Sequence, residues 1–241
     1  MRFKAVLLDI DDTLFNFRQS SFEAMQGALA RRGVRFTWDD MAEYETYNNA
    51  LWKQLERGEI TRAFLFPERF RRYFAARGLD IDPAEFNTDY LNGLAQGYAF
   101  MPHCRELLEA LHGKYKVFIV TNGDAFAQRS RIERSGLAHL FDGVFISEEL
   151  GCSKPEKEFY DKVFEIVGQE YRACSLMVGD SLTSDMQGGR NAGIPTCLYG
   201  RRGTQDSRCD FVIEDLLELP PLLDALNRAE TIQEVPYANM L

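Results

Sequence analysis

The feature that most constrains the fold of this chain is a series of short apolar runs separated by helical patterns. The runs lack the alternation of apolar and polar residues that a strand with one solvent-facing side shows, so they predict strands covered on both faces. Strands that alternate with helices predict a doubly wound, parallel α/β sheet with a Rossmann-like core. The predicted strands are Ala5 to Leu8, Val117 to Val120, Val144 to Ile146, Leu176 to Val178, Thr196 to Leu198 and Phe211 to Ile213.

One long stretch interrupts the alternation, because the first and second predicted strands are separated by about a hundred residues. Residues 17–96 within it have helical periodicity, with Pro67 among the expected breaks, and such a stretch is too long for a simple loop. We predict an all-helical cap domain of four or five helices at residues 17–96, inserted into a catalytic core of residues 1–16 and 97–241. The predicted core helices are Cys104 to Leu111, Phe126 to Arg134, Glu156 to Ile166 and Ser184 to Asn191.

Composition excludes several classes of partner. The formal net charge of −9 argues against a nucleic acid polymer or an anionic membrane surface, since both draw on clustered Lys and Arg. The five cysteines are scattered and odd in number, which favours a reducing cytoplasm over a disulfide framework or a zinc site. With no targeting or membrane-spanning run in sight, we expect a cytoplasmic monomer or weak homodimer, and the tail from Arg228 is expected to pack at the periphery.

Acidic residues follow two of the predicted strands at the point where each strand ends. Asp9 and Asp11 end the first strand and, being two apart on extended backbone, can face one site. Asp180 ends the fourth strand, and Asp185 follows it five residues later. The carboxyl ends of parallel strands share one edge of a sheet, so these carboxylates are expected to converge. Converging carboxylates need a counter-ion, and an all-oxygen set favours Mg²⁺, with Mn²⁺ as a possible substitute.

The remaining polar residues at the strand ends suggest phosphoryl transfer. Asp9, last on its strand, is placed to attack phosphorus, and Asp11 would protonate the leaving oxygen and then deprotonate the hydrolytic water. Thr121 and Asn122 follow the second strand and would donate hydrogen bonds to the transferring group. Lys154 would stabilise the charge of that group and of Asp9.

These residues form the ordered pattern D-x-D-x-T, T-N, K-P and G-D-x-x-x-x-D, which resembles the haloacid dehalogenase superfamily over nearly the whole chain. The resemblance implies that Asp9 is nucleophile and metal ligand, and that Asp11 also binds the metal through its backbone carbonyl. It implies that Asp180 is a metal ligand, that Asp185 supports the metal site from behind, and that Thr13 belongs to the catalytic set. The insertion matches the helical cap that members of this subclass carry between the first two motifs.

Residues of the insertion carry a narrower resemblance. The segments Tyr47 to Trp52, Gly58 to Thr61 and Glu68 to Phe70 are similar to those of pyrimidine 5′-nucleotidases that act on nonstandard nucleoside monophosphates. The resemblance implies a pyrimidine nucleoside monophosphate as substrate. It also implies that substrate-binding residues lie in the cap, for which our candidates are Asn48, Trp52 and Arg69.

Other functions of the same fold stay open at this point. A sugar-phosphate phosphatase or a phosphomutase would use the same residues. A haloacid dehalogenase needs neither a metal nor a proton donor two residues after the nucleophile, so Asp11 argues against it. A non-catalytic regulatory module would be expected to have lost a motif carboxylate or Lys154, and all are present.

Overall fold

A computed structural model describes residues 2–204 and 206–229 of the protein. Within this part of the chain the sheet has six strands in the order β3-β2-β1-β4-β5-β6, and every neighbouring pair is parallel. The predicted doubly wound α/β class is therefore confirmed, and each predicted strand corresponds to an observed one. The strands are β1 (Ala5–Leu8), β2 (Lys116–Thr121), β3 (Gly143–Ile146), β4 (Ser175–Gly179), β5 (Thr196–Tyr199) and β6 (Phe211–Ile213).

Two compact units divide the chain. Of the described residues, the core unit contains 2–16, Phe100–Ala125 and those from Ser135 to 229, and the helical unit contains Phe17–Ala99 and Phe126–Arg134. The sequence analysis placed the last of these segments in the core. The domain boundaries that we place at residues 16 and 97 stay a prediction. The tail was expected to pack at the periphery, and from residue 230 onward it lies outside the described residues.

The helical unit is built on four successive helices with an aromatic core. Three of them begin at residues that favour helix starts: Thr37 forms a capping box with Asp40, Thr61 caps the next helix, and Asp82 precedes Pro83 at the last start. The third helix continues through Pro67, which was expected to mark a break, because buried residues on both sides hold the helix in place. The four helices are α1 (Phe17–Ala30), α2 (Trp38–Glu56), α3 (Arg62–Arg77) and α4 (Pro83–Leu94).

The remaining helices follow the strands, as a doubly wound sheet requires. A π-helical turn at Leu182–Met186 precedes the helix Gln187–Ala192, where the sequence pattern predicted one continuous helix from Ser184 to Asn191. No helix among the described residues is long and apolar enough to cross a membrane. These helices are α5 (Cys104–Leu111), α6 (Ala125–Ser135), α7 (Ser147–Leu150), α8 (Lys157–Val167), α9 (Gln187–Ala192) and α10 (Leu219–Arg228).

Strand register places the polar residues after β1, β2 and β4 at one edge of the sheet. Leu8 is paired with Ile119 on one side and with Val178 on the other. The backbone N–H of Asp9 still donates to the Val178 carbonyl, at 2.9 Å, so the strand hydrogen bonding extends to the first acidic residue. Asp9 therefore stands at the centre of the carboxyl edge, between the ends of β2 and β4.

Candidate active site

The Lys154 ammonium is the buried cation of the core unit's carboxyl edge. Its side chain is 1% exposed, and Nζ donates to Asp9 Oδ1 at 2.6 Å and to Asp185 Oδ1 at 2.7 Å. A third bond goes to the Val120 carbonyl oxygen at 2.9 Å. An ammonium has three N–H donors, so these contacts use its full capacity. The Lys154–Pro155 peptide bond is cis.

Three carboxylates meet around this ammonium. Oxygens of Asp9, Asp180 and Asp185 all lie within 4.8 Å of one another, which is close enough to share one ion. The Thr13 hydroxyl, fully buried, lies 3.3 Å from Asp9 Oδ2 and 3.4 Å from Asp180 Oδ1, so it links the two carboxylates. The predicted residues Asp9, Thr13, Lys154, Asp180 and Asp185 are thus brought together in one cluster.

The electrostatics of the cluster fit a divalent cation. Burial raises the pKa of Asp9 to about 7, with Lys154 opposing the rise and Asp185 and Asp11 adding to it. The pKa of Asp180 rises to about 9, because the surrounding protein withdraws this rim carboxyl from bulk water and Asp9 and Asp185 repel its charge. A bound cation would favour the ionised form of carboxylates whose pKa values are raised this far. Oxygen-only donors match Mg²⁺, for which Asp9, Asp180 and Asp185 are the candidate holders.

For Lys154 the same neighbours have the opposite effect. Burial alone would lower the pKa of the ammonium, but the Asp185 and Asp9 carboxylates outweigh that cost and raise the pKa above its usual value. The lysine is therefore a fixed positive charge at neutral pH. A fixed cation touching a carboxylate is suited to offset the charge of a phosphoryl group delivered to that carboxylate.

The loop after β1 turns sharply and carries the second aspartate of the motif. Asp12 has a φ of 58°, which is unusual for a residue other than glycine, and its N–H donates to the Phe15 carbonyl at 2.7 Å. Asp11 forms an isolated bridge with Phe15 in the same turn. Asp11 is only partly buried and lies near enough to Asp9 to raise its pKa. Asp11 therefore lies close to the candidate nucleophile, and its role as a proton carrier stays a prediction.

Asn122 has a structural role that sequence reasoning did not foresee. Its Oδ1 accepts the Lys154 backbone N–H at 3.0 Å, and its Nδ2 donates to the Lys154 carbonyl at 2.8 Å. The amide thereby fixes the backbone of the residue that supplies the buried cation. Thr121 is buried next to it, and its Oγ1 accepts the Gly123 N–H at 3.1 Å. The predicted contacts of Thr121 and Asn122 with a transferring group stay predictions.

The position of Asp185 depends on a glycine that the motif already contains. Asp185 Oδ2 accepts the Ser181 N–H at 3.1 Å while Oδ1 accepts from Lys154. Any side chain at Gly179 would collide with the Asp185 carboxylate. The sequence analysis named Asp185 without naming this requirement, although the glycine directly before Asp180 was a visible signal. Asp185 thus holds Lys154 from behind and also lies within reach of the proposed ion.

The three cap candidates all lie in the helical unit. Asn48 is buried on α2 and its Oδ1 accepts from the Tyr44 hydroxyl at 3.4 Å. Trp52, one turn further along α2, is half-buried and has the Arg62 guanidinium 5.7 Å from its ring. Arg69 on α3 is 3% exposed and lies among aromatic rings. Their predicted contact with substrate stays a prediction.

Comparison with known proteins identifies relatives over most of the chain. Residues 3–193 match the family model described as haloacid dehalogenase-like hydrolase. Pyrimidine 5′-nucleotidase YjjG of Escherichia coli is 35% identical over 226 residues, covering 92% of this chain and 99% of that protein. Pyrimidine 5′-nucleotidase PynA of Streptococcus pneumoniae is 34% identical, covering 95% of this chain and 97% of that protein.

A solved structure shows the same fold at a similar level of identity. The HAD-hydrolase YfnB of Bacillus subtilis, crystallised with bound magnesium, superposes with a TM-score of 0.87 at 31% identity, covering 93% of this chain and all of that one. The order of the motifs, the convergence of their side chains at one edge of a parallel sheet, and these matches agree. The chain belongs to the haloacid dehalogenase-like hydrolases.

Proposed function

We propose that the protein is a magnesium-dependent phosphatase that hydrolyses small phosphate monoesters through an aspartyl-phosphate on Asp9. The observation that carries the proposal is the contact between the Asp9 carboxylate and the buried Lys154 ammonium, within a cluster of acids at the strand ends. A carboxylate is a competent nucleophile toward phosphorus once neighbouring cations neutralise the phosphoryl oxygens. Bound Mg²⁺, or Mn²⁺ in its place, would supply the rest of that neutralisation.

The reaction proceeds in two displacements. An Asp9 oxygen forms a bond to phosphorus while the bond to the ester oxygen breaks, and Asp11 gives its proton to the departing alcohol. Asp11 then takes a proton from a water whose oxygen attacks phosphorus, and the Asp9–phosphorus bond breaks to release inorganic phosphate. Lys154 stays protonated throughout, which its raised pKa permits. Thr121 and Asn122 would donate hydrogen bonds to the transferring group.

For the substrate, we propose a pyrimidine nucleoside monophosphate. Two relatives that span nearly the whole chain are named pyrimidine 5′-nucleotidases, which supports this choice over a sugar phosphate. The helical unit would recognise the nucleoside portion through Asn48, Trp52 and Arg69. A phosphomutase of the same fold would retain the aspartyl-phosphate and return it to its product, so release of free phosphate separates the two activities.

The nucleophile is tested by Asp9→Asn, with turnover of p-nitrophenyl phosphate as the readout. We expect Mg²⁺-dependent phosphate release by the wild type, none in EDTA, and a loss of about a thousandfold or more in the variant. Asp80→Asn, which makes the same change at an exposed position of the helical unit, should be as active as the wild type. Activity that survives Asp9→Asn would overturn the assignment of the nucleophile.

A substrate panel tests the nucleotidase proposal separately. We expect UMP, dUMP and dTMP to give higher kcat/KM values than sugar phosphates, with free phosphate and nucleoside as the products. If sugar phosphates lead instead, the phosphatase proposal stands and the nucleotide assignment is wrong. Transfer of phosphate to a second sugar position without release would indicate a mutase.

The cytoplasmic location is also a proposal. All five cysteines of the described chain are free thiols, and four of them are buried. That state supports a reducing compartment, as the scattered cysteine positions suggested.

A further inference from the structure

The helical unit buries a guanidinium among neutral partners. Arg69 is 3% exposed; its Nε donates to the Phe66 carbonyl at 3.2 Å and its Nη2 to Asn87 Oδ1 at 2.9 Å. Three rings surround it, with centroids 4.7 Å away for Phe70 and 5.0 Å for Phe66 and Tyr90. Among the residues that the structure describes, no carboxylate forms an ion pair with Arg69. Its positive charge is therefore not neutralised within the helical unit.

Other arginines of this unit are treated differently. Arg71 pairs with Glu68 at 2.5 Å, Arg77 with Asp40 at 2.7 Å, and Arg32 with Asp89 at 2.6 Å. All three are more exposed than Arg69, so water already stabilises their charge. Of these four arginines, the most buried one has an amide in the place of a carboxylate.

The donors of Arg69 also exceed the acceptors around it. A guanidinium has five N–H groups and accepts no hydrogen bond. Phe66 and Asn87 accept two of these bonds. The Tyr44 hydroxyl is a third acceptor within reach, since burial raises its pKa and a hydrogen bond from Arg69 opposes that rise. A ligand that presents oxygen acceptors would satisfy the rest. Carbonyl oxygens of a uracil or thymine ring are such acceptors.

We propose that Asn87 is a positioning residue that fixes the Arg69 guanidinium without neutralising it, which leaves Arg69 able to bind a carbonyl oxygen of the nucleobase. The inference rests on the proposed nucleotidase function and names the residue that makes Arg69 available to it. An aspartate at position 87 would have nearly the same shape, would pair with Arg69, and would hold its donors in an ion pair. The neutral amide is thus the specificity-determining feature.

The experiment is Asn87→Asp, with KM and kcat measured for UMP and for p-nitrophenyl phosphate. We expect the KM for UMP to rise about tenfold or more, because a hydrogen bond from a charged donor is weakened, while kcat changes little. The KM for p-nitrophenyl phosphate, which has no base carbonyl, should change far less than the KM for UMP. The melting temperature should be equal or higher, since the variant gains an ion pair.

Asn92→Asp is the matched control, because it adds the same charge to the same helix at an exposed position. It should leave the KM for UMP unchanged, which separates the effect of pairing with Arg69 from that of net charge. An equal KM for UMP in both variants would overturn the role of Asn87 while the nucleotidase proposal stands. If the wild type hydrolyses p-nitrophenyl phosphate but not UMP, the nucleotide assignment fails first and the inference fails with it.

Discussion

Each unit of this protein buries a cation, Lys154 in the core unit and Arg69 in the helical unit, and the two are surrounded in opposite ways. In the core unit, Lys154 contacts two carboxylates and a backbone carbonyl, so each of its N–H groups has an acceptor. In the helical unit, Arg69 contacts an amide, a backbone carbonyl and aromatic rings. All three N–H groups of the lysine are used, and two carboxylates outweigh its charge. The arginine has no carboxylate partner among the described residues and keeps unused N–H donors.

The difference suggests a division of labour. A cation between two carboxylates fixes their positions, and Lys154 favours the ionised form of Asp9 against the effect of burial, as a nucleophile requires. A cation with neutral neighbours can still gain interaction free energy when a ligand binds to it. Chemistry is therefore expected to depend on the Lys154 cluster, and substrate choice on Arg69. The predictions that follow test that contrast.

Removing the buried lysine is expected to have the largest effect. Lys154→Met leaves Asp9 and Asp185 buried with no ammonium between them, and breaking a buried ion pair by removing one partner costs about 3–5 kcal/mol. In EDTA we expect the free energy of unfolding, measured with urea, to fall by that amount. Turnover of p-nitrophenyl phosphate should be lost even where the variant is folded.

Lys157→Met is the control for this change. Lys157 is exposed and pairs with Asp161 one helical turn away, so its removal should cost less than about 1 kcal/mol and leave activity intact. Added Mg²⁺ should restore part of the stability of Lys154→Met, because a second cation can enter the same acid cluster. A Lys154→Met protein as stable in EDTA as the wild type would contradict the contrast between the two units.

Removing one acid from the core cluster should reduce the stability gained from Mg²⁺ and raise the stability measured without it. In the wild type, Mg²⁺ at a hundred times its Kd should stabilise the fold by about 2.7 kcal/mol. Asp180→Asn should lose most of that gain, because Asp180 is one of the three acids that could hold the ion. In EDTA the variant should instead be more stable than the wild type at neutral pH, since withdrawal from water and repulsion by Asp9 and Asp185 raise the pKa of Asp180 to about 9. The gain should be modest, because solvent screens the charge of a side chain that is partly exposed.

The pH dependence follows from the same pKa. Because the folded protein holds the Asp180 proton more tightly than the unfolded chain does, this carboxyl lowers stability as the pH rises from about 4 toward 9 in EDTA. Thermal unfolding across that range should show a shallower decline for Asp180→Asn than for the wild type. Asp80→Asn should follow the wild type with and without metal. Equal metal stabilisation in Asp180→Asn would place the ion elsewhere.

Much of the core site could be predicted from sequence because parallel strands impose a simple geometry. Each strand end lies at the same edge, so the residues directly after β1 and β4 had to converge, and Asp9 and Asp180 do. Helix periodicity likewise predicted the inserted helices.

What the sequence could not predict were contacts that depend on side-chain direction. Nothing in the pattern T-N shows that the Asn122 amide turns toward the Lys154 backbone, or that the Val120 carbonyl becomes the third acceptor of the ammonium. The surroundings of Arg69 were equally hidden, because Asn87 lies eighteen residues away on another helix. Contacts between helices depend on packing, which local patterns do not specify.

The smallest expected effect comes from an acid of the helical unit, and it should have the opposite sign to that of Asp180. Hydrogen bonds from Arg71, then from Arg72, lower the pKa of Glu68 to about 2 although the burial of its side chain acts the other way. A lowered pKa means that the ionised form stabilises the fold above about pH 4.5 and that this contribution is lost as the pH falls toward 2. Glu68→Gln should therefore reduce the free energy of unfolding at pH 7 by less than about 1 kcal/mol, since both arginines are partly exposed.

The pH dependence separates this effect from a general loss of charge. The difference in the free energy of unfolding between Glu68→Gln and the wild type should shrink between pH 5 and pH 3. Glu109→Gln, at an exposed site of α5 with no ion pair among the described residues, should show no such trend. A difference that grows on acidification would mean that Glu68 is destabilised by its surroundings, as Asp180 is, and the contrast between the two units would not extend to their acids.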